Sequence, residues 1–423
     1  MRRRCTRLWR HPDFMKVWTG QTISVFGSLI GGTALQFTAI LYLHATAFQI
    51  GLLSAASLAP GFAAGLIAGV WVDRLRRRPI LIAADTGRAL LLATIPLAAL
   101  FDRLSIEQLS IVAFFNSVLT IFFDVAYQSY LPSLVGHEDL LDGNSKLAAS
   151  AAVAEVSGLG IAGWLVQFLS GPTAILIDAI SFVVSALSLG TIKTREPAPA
   201  ATHARENLWR EIAAGLREVR RQPVLRTIAA ATCLLQFCGH GMFGSVVVLY
   251  MSRELGFSPG ILGMIGGIGG ISAFAGALVV TPLTRRCGVG PTMVLGLLLS
   301  SVVSFFIPLA QGATLLSAIC LILPQILGDG GATVYEINEV SLRQAIAPER
   351  LLGRVNASMR FIGQGAMLVG ALLGGTLGDI IGTRATLVVG ATGSLIVAVW
   401  LLVSPVRAIK GTGVPVQDGP VVA

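Results

Sequence analysis

Eight ionisable side chains interrupt stretches of the sequence that are otherwise apolar: Asp85, Arg88, Asp124, Glu155, Asp178, Asp329, Glu336 and Glu339. In a run of hydrocarbon-like sequence each costs about 2.5–3.5 kcal/mol on insertion scales, so each needs a partner or a function. Asp85 and Arg88 are three residues apart and share a helix face, which suits an ion pair. Asp124 falls near the same end of the following run, so these three can form one network. A proton relay and a static charge lock between helices both fit it. Glu155 and Asp178 have no partner nearby in sequence, and an isolated acid is the kind of group that a proton carrier or a cation site requires. Glu336 and Glu339 suit the lining of an aqueous mouth. His240, between Gly239 and Gly241, reads as a packing residue.

The elements that must position these groups follow from composition. The chain has 423 residues, 54% hydrophobic and 13% charged, against about 25% charged in soluble globular proteins. The apolar residues fall in successive blocks of the length that crosses a bilayer as a helix, about 20 residues. Twelve spans are expected, near 17–43, 50–72, 79–101, 106–131, 147–169, 173–192, 227–250, 259–281, 291–311, 314–337, 359–380 and 385–403. The fold class is therefore all-α integral membrane. With both termini cytoplasmic, 27 of the 31 Lys and Arg fall on the inner side, as the positive-inside rule demands. The net charge of +9 punctuates the apolar blocks instead of forming one face, which argues against a nucleic-acid partner. Cys5, Cys233, Cys238, Cys287 and Cys320 show no metal spacing. No Walker loop, metal cluster or nucleophile–base arrangement is present in the sequence, so neither a cofactor nor an enzymatic activity is expected.

Five regions follow: a cytoplasmic N-terminal segment 1–16, a six-helix bundle 17–192, a linker 193–226, a second six-helix bundle 227–403, and a tail 404–423. Within the linker Leu208, Ile212, Leu216 and Val219 recur at helical spacing, with Arg210, Arg217 and Arg220 elsewhere on the helix. That pattern fits a helix lying at the membrane interface and equally a solvated linker helix. The two bundles are expected to be copies. An offset of 212 residues carries Gly27 onto Gly239, Arg74 onto Arg286, Pro79 onto Pro291, Pro96 onto Pro308, Asn144 onto Asn356 and Gly163 onto Gly375. It also sets Asp124 opposite Glu336.

Between the second and third spans stands Gly69-Val-Trp-Val-Asp73-Arg74-Leu-Arg76-Arg77-Arg78-Pro79. This resembles the G-x-x-x-D-R-x-G-R-R signature of the major facilitator superfamily, with Arg76 in place of the usual glycine. Asp73 is placed to meet the positive end of a helix dipole. The resemblance implies that Gly69, Asp73, Arg74, Arg77 and Arg78 form a cytoplasmic gating loop that holds one conformational state. Further residues are similar to one branch, the siderophore and macrolide exporters: Leu8 to Phe14 leading into Trp18, Gly20, Gln21 and Ser24; Asp85 and Arg88; Leu131 to Val135 with Asn144; Asp178 to Phe182; and Glu349 to Asn356.

The family implies two pseudo-symmetric six-helix bundles with a small-molecule substrate bound near the midplane. It also implies that the first and seventh spans face that substrate, which makes Gln36 and Gln236 the cavity-lining residues. Expected on this basis is a monomeric efflux permease of the bacterial cytoplasmic membrane, bound in the lipid bilayer, exporting a small organic solute and using protons as coupling ion; an importer on the same fold and a transport-inactive membrane sensor or scaffold are the alternatives. Two departures bear on coupling: the fourth span has no arginine, and Gly158 is followed by Leu159 where many drug/proton antiporters have a Gly-Pro pair. Gly61, Gly65 and Gly69, and likewise Gly370, Gly374 and Gly378, form small-residue stripes that permit close helix approach.

Overall fold

The computed structural model describes residues 8–63, 75–136, 138–194, 196 and 208–409, apart from the side chains of 62–63 and 208–212. Gly65, Gly69, Asp73 and Arg74, on which much of the gating-loop reading rests, lie outside the described residues. The described residues are helical, with no strand among them. Eleven helices among them are long and apolar enough to cross a membrane. They are Pro12–Tyr42 (α1), Arg77–Leu100 (α3), Ile106–Val135 (α4), Leu140–Leu169 (α5), Gly171–Gly190 (α6), Pro223–Glu254 (α8), Pro259–Cys287 (α9), Val289–Leu309 (α10), Leu315–Ile346 (α11), Glu349–Ile381 (α12) and Thr383–Val403 (α13). Ala47–Ala63 (α2) is the described part of the expected second span. Leu208–Arg221 (α7) is the amphipathic linker helix.

Local chemistry starts and stops these helices. Pro12 opens α1, where its missing amide hydrogen costs nothing, and His11 Nδ1 accepts from Phe14 N at 3.1 Å. Ser105 caps α4 through Gln108 N and Thr314 caps α11 through Ser317 N, each supplying an acceptor to an orphan donor. Many outward-facing positions carry large apolar side chains, among them Leu90, Phe168, Leu187, Phe274, Leu315 and Ile396. That exposed surface suits hydrocarbon and not water.

Chain contacts group Met1–Arg205 with Val248–Gly267 as one unit, and Glu206–Val247 with Ile268–Ala423 as the other. In the first unit Val17, Leu81, Phe123, Ala126 and Tyr130 form an apolar core. In it Gly163 of α5 meets Gly263 of α9, and a Cβ on either would fall 2.9 Å from the other's Cα. In the second unit Ile228, Met293, Leu342, Val355 and Leu401 form the core. Val219 of α7 joins that core at 3% exposure, and Gly215 lies against the backbone of Arg354 on α12. At Gly215 and Val219 the linker helix therefore packs on the second unit, α12 included.

The offset of 212 holds in the backbone. It carries α5, Leu140–Leu169, onto the stretch Leu352–Ile381 of α12. It carries the first residue of α3, Arg77, onto that of α10, Val289. A π-turn at Thr38–Tyr42 ends α1, and its counterpart Tyr250–Glu254 ends α8. The joint between α5 and α6 is Ser170, with φ 76° and ψ 157°, and its counterpart between α12 and α13 is Gly382, with φ 86° and ψ 153°. That region of backbone space is almost exclusive to glycine and costs other residues about 1–3 kcal/mol. Ser170→Gly is therefore expected to stabilise the protein by about 1 kcal/mol, net of the lost contact between Ser170 Oγ and Thr173 Oγ1 at 3.1 Å. Thermal unfolding in detergent measures this; an unchanged or lower midpoint would show that serine bears no strain there.

Candidate functional site: a buried charge cluster between four helices

Helical periodicity gathers the polar groups of the first unit. On α6 Asp178, Ser181, Phe182 and Ser185 are buried at positions i, i+3, i+4 and i+7, one face of a 3.6-residue helix. On α3 the buried face includes Leu81, Asp85, Arg88, Leu92 and Ile95. α4 supplies Thr120, Phe123 and Asp124, and α1 supplies a groove at Gly27 and Gly31.

Arg88 is the hub. One guanidinium nitrogen pairs with Asp85 Oδ1, and Nη1 lies 3.5 Å from Thr120 Oγ1. The guanidinium carbon sits 4.4 Å from the ring centroid of Phe123 and 4.1 Å from that of Phe182. The cation is thus sandwiched between aromatic rings of α4 and α6, a contact worth about 2 kcal/mol when desolvated. Arg88 also interacts electrostatically with Asp124 and Asp178. Asp85, Arg88 and Asp178 are 0%, 3% and 3% exposed, whereas Asp124 is exposed at the edge of the group. One guanidinium pairs with one carboxylate and lies in the field of two more.

Sequence spacing leaves Asp178 on its own; the structure places it in this cluster, because α6 turns it toward α3. Its carboxylate rests on the α1 backbone. A Cβ on Gly27 would lie 2.9 Å from Asp178 Oδ1, and one on Gly31 would lie 2.7 Å from its Cγ. Ser181 Oγ donates to Asp178 Oδ1 at 3.3 Å and to the Asp178 carbonyl at 2.8 Å. Glu155 is exposed on α5 and stays outside the group.

In the second unit Glu339 is buried and accepts from Arg343 at 3.1 Å, a local pair one turn apart, while Glu336 is exposed. Gln36 is half-buried on α1. Gln236 is half-buried too, and it opens a second π-turn, Gln236–Phe243, that contains His240. Sequence reading missed these widened turns, which occur often at functional sites.

Where α1 and α3 begin and α6 ends, charges bind three helix termini. The Glu196 carboxylate accepts from the amides of Arg77 at 2.7 Å and Arg78 at 3.1 Å, and pairs with Arg77 Nη1 at 3.5 Å. This is the acid found on the first turn of α3, where unpaired amides favour an anion. A single signal in the sequence could have found it, a lone acid beside Pro197 just past the sixth span. Arg78 in return donates to the carbonyls of Leu189 at 2.9 Å and Gly190 at 2.6 Å. Asp13 accepts from Lys16 at 2.8 Å, from the amides of Lys193 and Thr194 at 3.2 and 3.0 Å, and from Thr194 Oγ1 at 2.7 Å.

Bilayer-length helices enclosing buried, shared charge define a multi-pass membrane protein of the transporter class. The sequence profile of the Major Facilitator Superfamily matches residues 17–333 and again 229–417; the chain belongs to that superfamily, in a branch whose relatives are named for efflux. It is 28% identical to the multidrug efflux pump Tap of Mycolicibacterium fortuitum over 358 residues, covering 82% of this chain and 85% of that one. It is 24% identical to macrolide efflux protein A of Streptococcus pyogenes over 413 residues, covering 94% and 96%. It is also 24% identical to the enterobactin exporter EntS of Citrobacter koseri over 416 residues, covering 97% and 96%. Among solved structures, the nucleoside transporter NupG shares the fold with a TM-score of 0.74 at 14% identity, covering 92% of this chain and 98% of that one. A bacterial homologue of the iron transporter ferroportin, in an inward-facing state, gives 0.72 at 18% identity, covering 92% and 98%.

Proposed function

We propose that this protein is an efflux permease of the bacterial cytoplasmic membrane that exports a small organic solute in exchange for protons. It would act as a monomer with both termini cytoplasmic, by alternating access of two six-helix bundles, residues 17–192 and 227–403. The reading is supported by relatives named for efflux or export and carried by one observation, a buried guanidinium paired with Asp85 and close enough to Asp124 and Asp178 to interact with their charge. With both buried acids ionised, Asp85 and Asp178 against Arg88, the cluster holds an excess of one negative charge. Buried charge without a counter-ion is strongly disfavoured, so protons supply the balance.

Asp124, at the exposed edge, is the entry point in this scheme, and Asp178, in the α1 groove, is the inner carrier. Arg88 exchanges its interaction among the acids as protons arrive. α1 bears both the glycine groove that receives Asp178 and, five residues beyond Gly31, Gln36. Protonation of Asp178 is thereby linked to a helix that faces the solute. Gln236 on α8 is the second cavity-lining residue, and Gly69, Asp73 and Arg74, with Arg77 and Arg78 on the first turn of α3, gate the cytoplasmic side.

Solute accumulation in inverted membrane vesicles tests this. Wild type is expected to accumulate solute when a proton gradient is imposed. Asp85→Asn and Asp178→Asn are expected to lose most of that dependence, in the range of about 5–150-fold that couplings between sites span. Flux indifferent to the gradient rules out antiport, and full coupling in both variants removes the cluster from it.

A further inference from the structure

α11 is broken near its middle. A π-turn, Pro324–Gly328, separates Leu315–Leu323 from Asp329–Ile346. Pro324 has no amide hydrogen to give its preceding turn, and the widened turn leaves backbone groups that the regular ladder does not take up. Ser272 of α9 takes them: its hydroxyl donates to the Ile326 carbonyl and accepts from Gly330 N at 3.1 Å. One turn further along α9, Gly276 lies against Gly330, where a Cβ would fall 3.0 Å from the Gly330 Cα. The wide turn is pinned to α9 by these two contacts.

So held, the turn presents Gln325 and Asp329 to Gly269. A Cβ on Gly269 would collide with both Asp329 Oδ2 and Gln325 Oε1, so the two oxygens share the space that the missing methyl leaves open. The carboxylate of Asp329 makes no hydrogen bond or ion pair among the described residues. The charged neighbour it interacts with is Glu336, two turns on and of the same sign. Asp329 is half-buried and so can be reached. Two other acids in apolar spans have a cation beside them: Asp85 has Arg88, and Glu339 has Arg343. An acid at this depth needs a positive partner, and the described residues supply none.

We propose that Asp329, with Gln325 beside it, is the recognition point for a protonated amine of the exported solute. The carboxylate supplies the counter-charge, and both side chains offer oxygens to the N–H groups. Two oxygens are too few for a hard metal cation, which takes about six, whereas an ammonium has three donors to satisfy at most. The carboxylate selects for charge, and the missing side chain at Gly269 lets the two oxygens converge where a larger residue would push them apart.

This rests on the reading of the chain as an exporter, and the experiment separates the two. Inverted vesicles carrying the full-length chain are loaded, under a proton gradient, with erythromycin, which bears a protonatable dimethylamine, or with its neutral N-desmethyl-N-acetyl derivative. Puromycin, which bears a protonatable primary amine, and uncharged chloramphenicol form a second pair. Asp329→Asn is expected to lower uptake of the cationic probes by about tenfold to a hundredfold, as loss of a charged hydrogen bond does, and to leave the neutral probes within about twofold. Asp329→Glu recovers part of the loss, and Gly269→Ala reproduces it with the charge intact. Equal loss of cationic and neutral probes assigns Asp329 to proton movement and overturns the proposal, as does unchanged uptake of all four. A wild-type chain that moves none of them under a gradient overturns the exporter reading itself.

Discussion

Arg88→Met is expected to cost the folded protein about 3–5 kcal/mol, the typical penalty for stranding one member of a buried ion pair. The side chain is 3% exposed and its partner Asp85 is fully buried, so water cannot replace the guanidinium. The substitution also removes the stacking on Phe123 and Phe182, and it leaves Asp178 without a cation. Replacing both partners, as in Arg88→Met with Asp85→Leu, should recover most of the loss, because apolar residues of similar volume often substitute for a buried pair at little cost. Thermal unfolding of the detergent-solubilised protein, followed by tryptophan fluorescence, measures all three forms. If the double variant is no more stable than Arg88→Met alone, the pair is not the unit described. The double variant is also expected to have lost gradient-driven flux, which separates folding from coupling.

The second large effect is Gly370→Val. Gly370 of α12 faces the π-turn of α8, where a Cβ would lie 3.0 Å from the Phe237 Cα. A Cβ on Gly241 would in turn lie 2.9 Å from the Gly370 Cα. These neighbours are main-chain atoms, so no rotamer change can make room and the helices must part. Overpacking of this kind costs about 1–3 kcal/mol or more. Flux should fall to background, with a visible loss of monodispersity on size exclusion. Gly353→Ala is the control. It lies on the same helix with nothing within 4 Å of the added methyl, and alanine improves helix propensity, so wild-type flux is expected. Comparable damage from both changes would mean that backbone contact at Gly370 is not what matters.

Much of the architecture is legible in the sequence because it is written in hydropathy, which is local. Span positions, the class of protein and the 212-residue repeat need no spatial information, and the repeat reappears in element bounds and in the matched joints at Ser170 and Gly382. Half of the candidate site is legible for the same reason: Asp85 and Arg88 lie on one helix, where spacing fixes their face. The company of Asp178 depends on how α6 is rotated against α3, and a period cannot report that. Gln236 and Asp329 sit at widened turns that add a residue without altering hydropathy, so the pattern carries no trace of them. The linker helix shows the complementary limit. An apolar stripe announces that a face is covered, and says nothing of whether lipid or, as at Gly215 and Val219, protein covers it.

The ties at Asp13 and Glu196 have a consequence for how the chain is made. Asp13 closes on Lys193 and Thr194, partners 180 and 181 positions downstream, and Glu196 closes on Arg77 and Arg78 across 119 and 118. While the ribosome is still producing the sixth span, the first and third therefore sit in the membrane with their ends unfastened. The first half becomes a finished object only when a short stretch beyond its last helix has emerged, and translation reaches that stretch just before it begins the second.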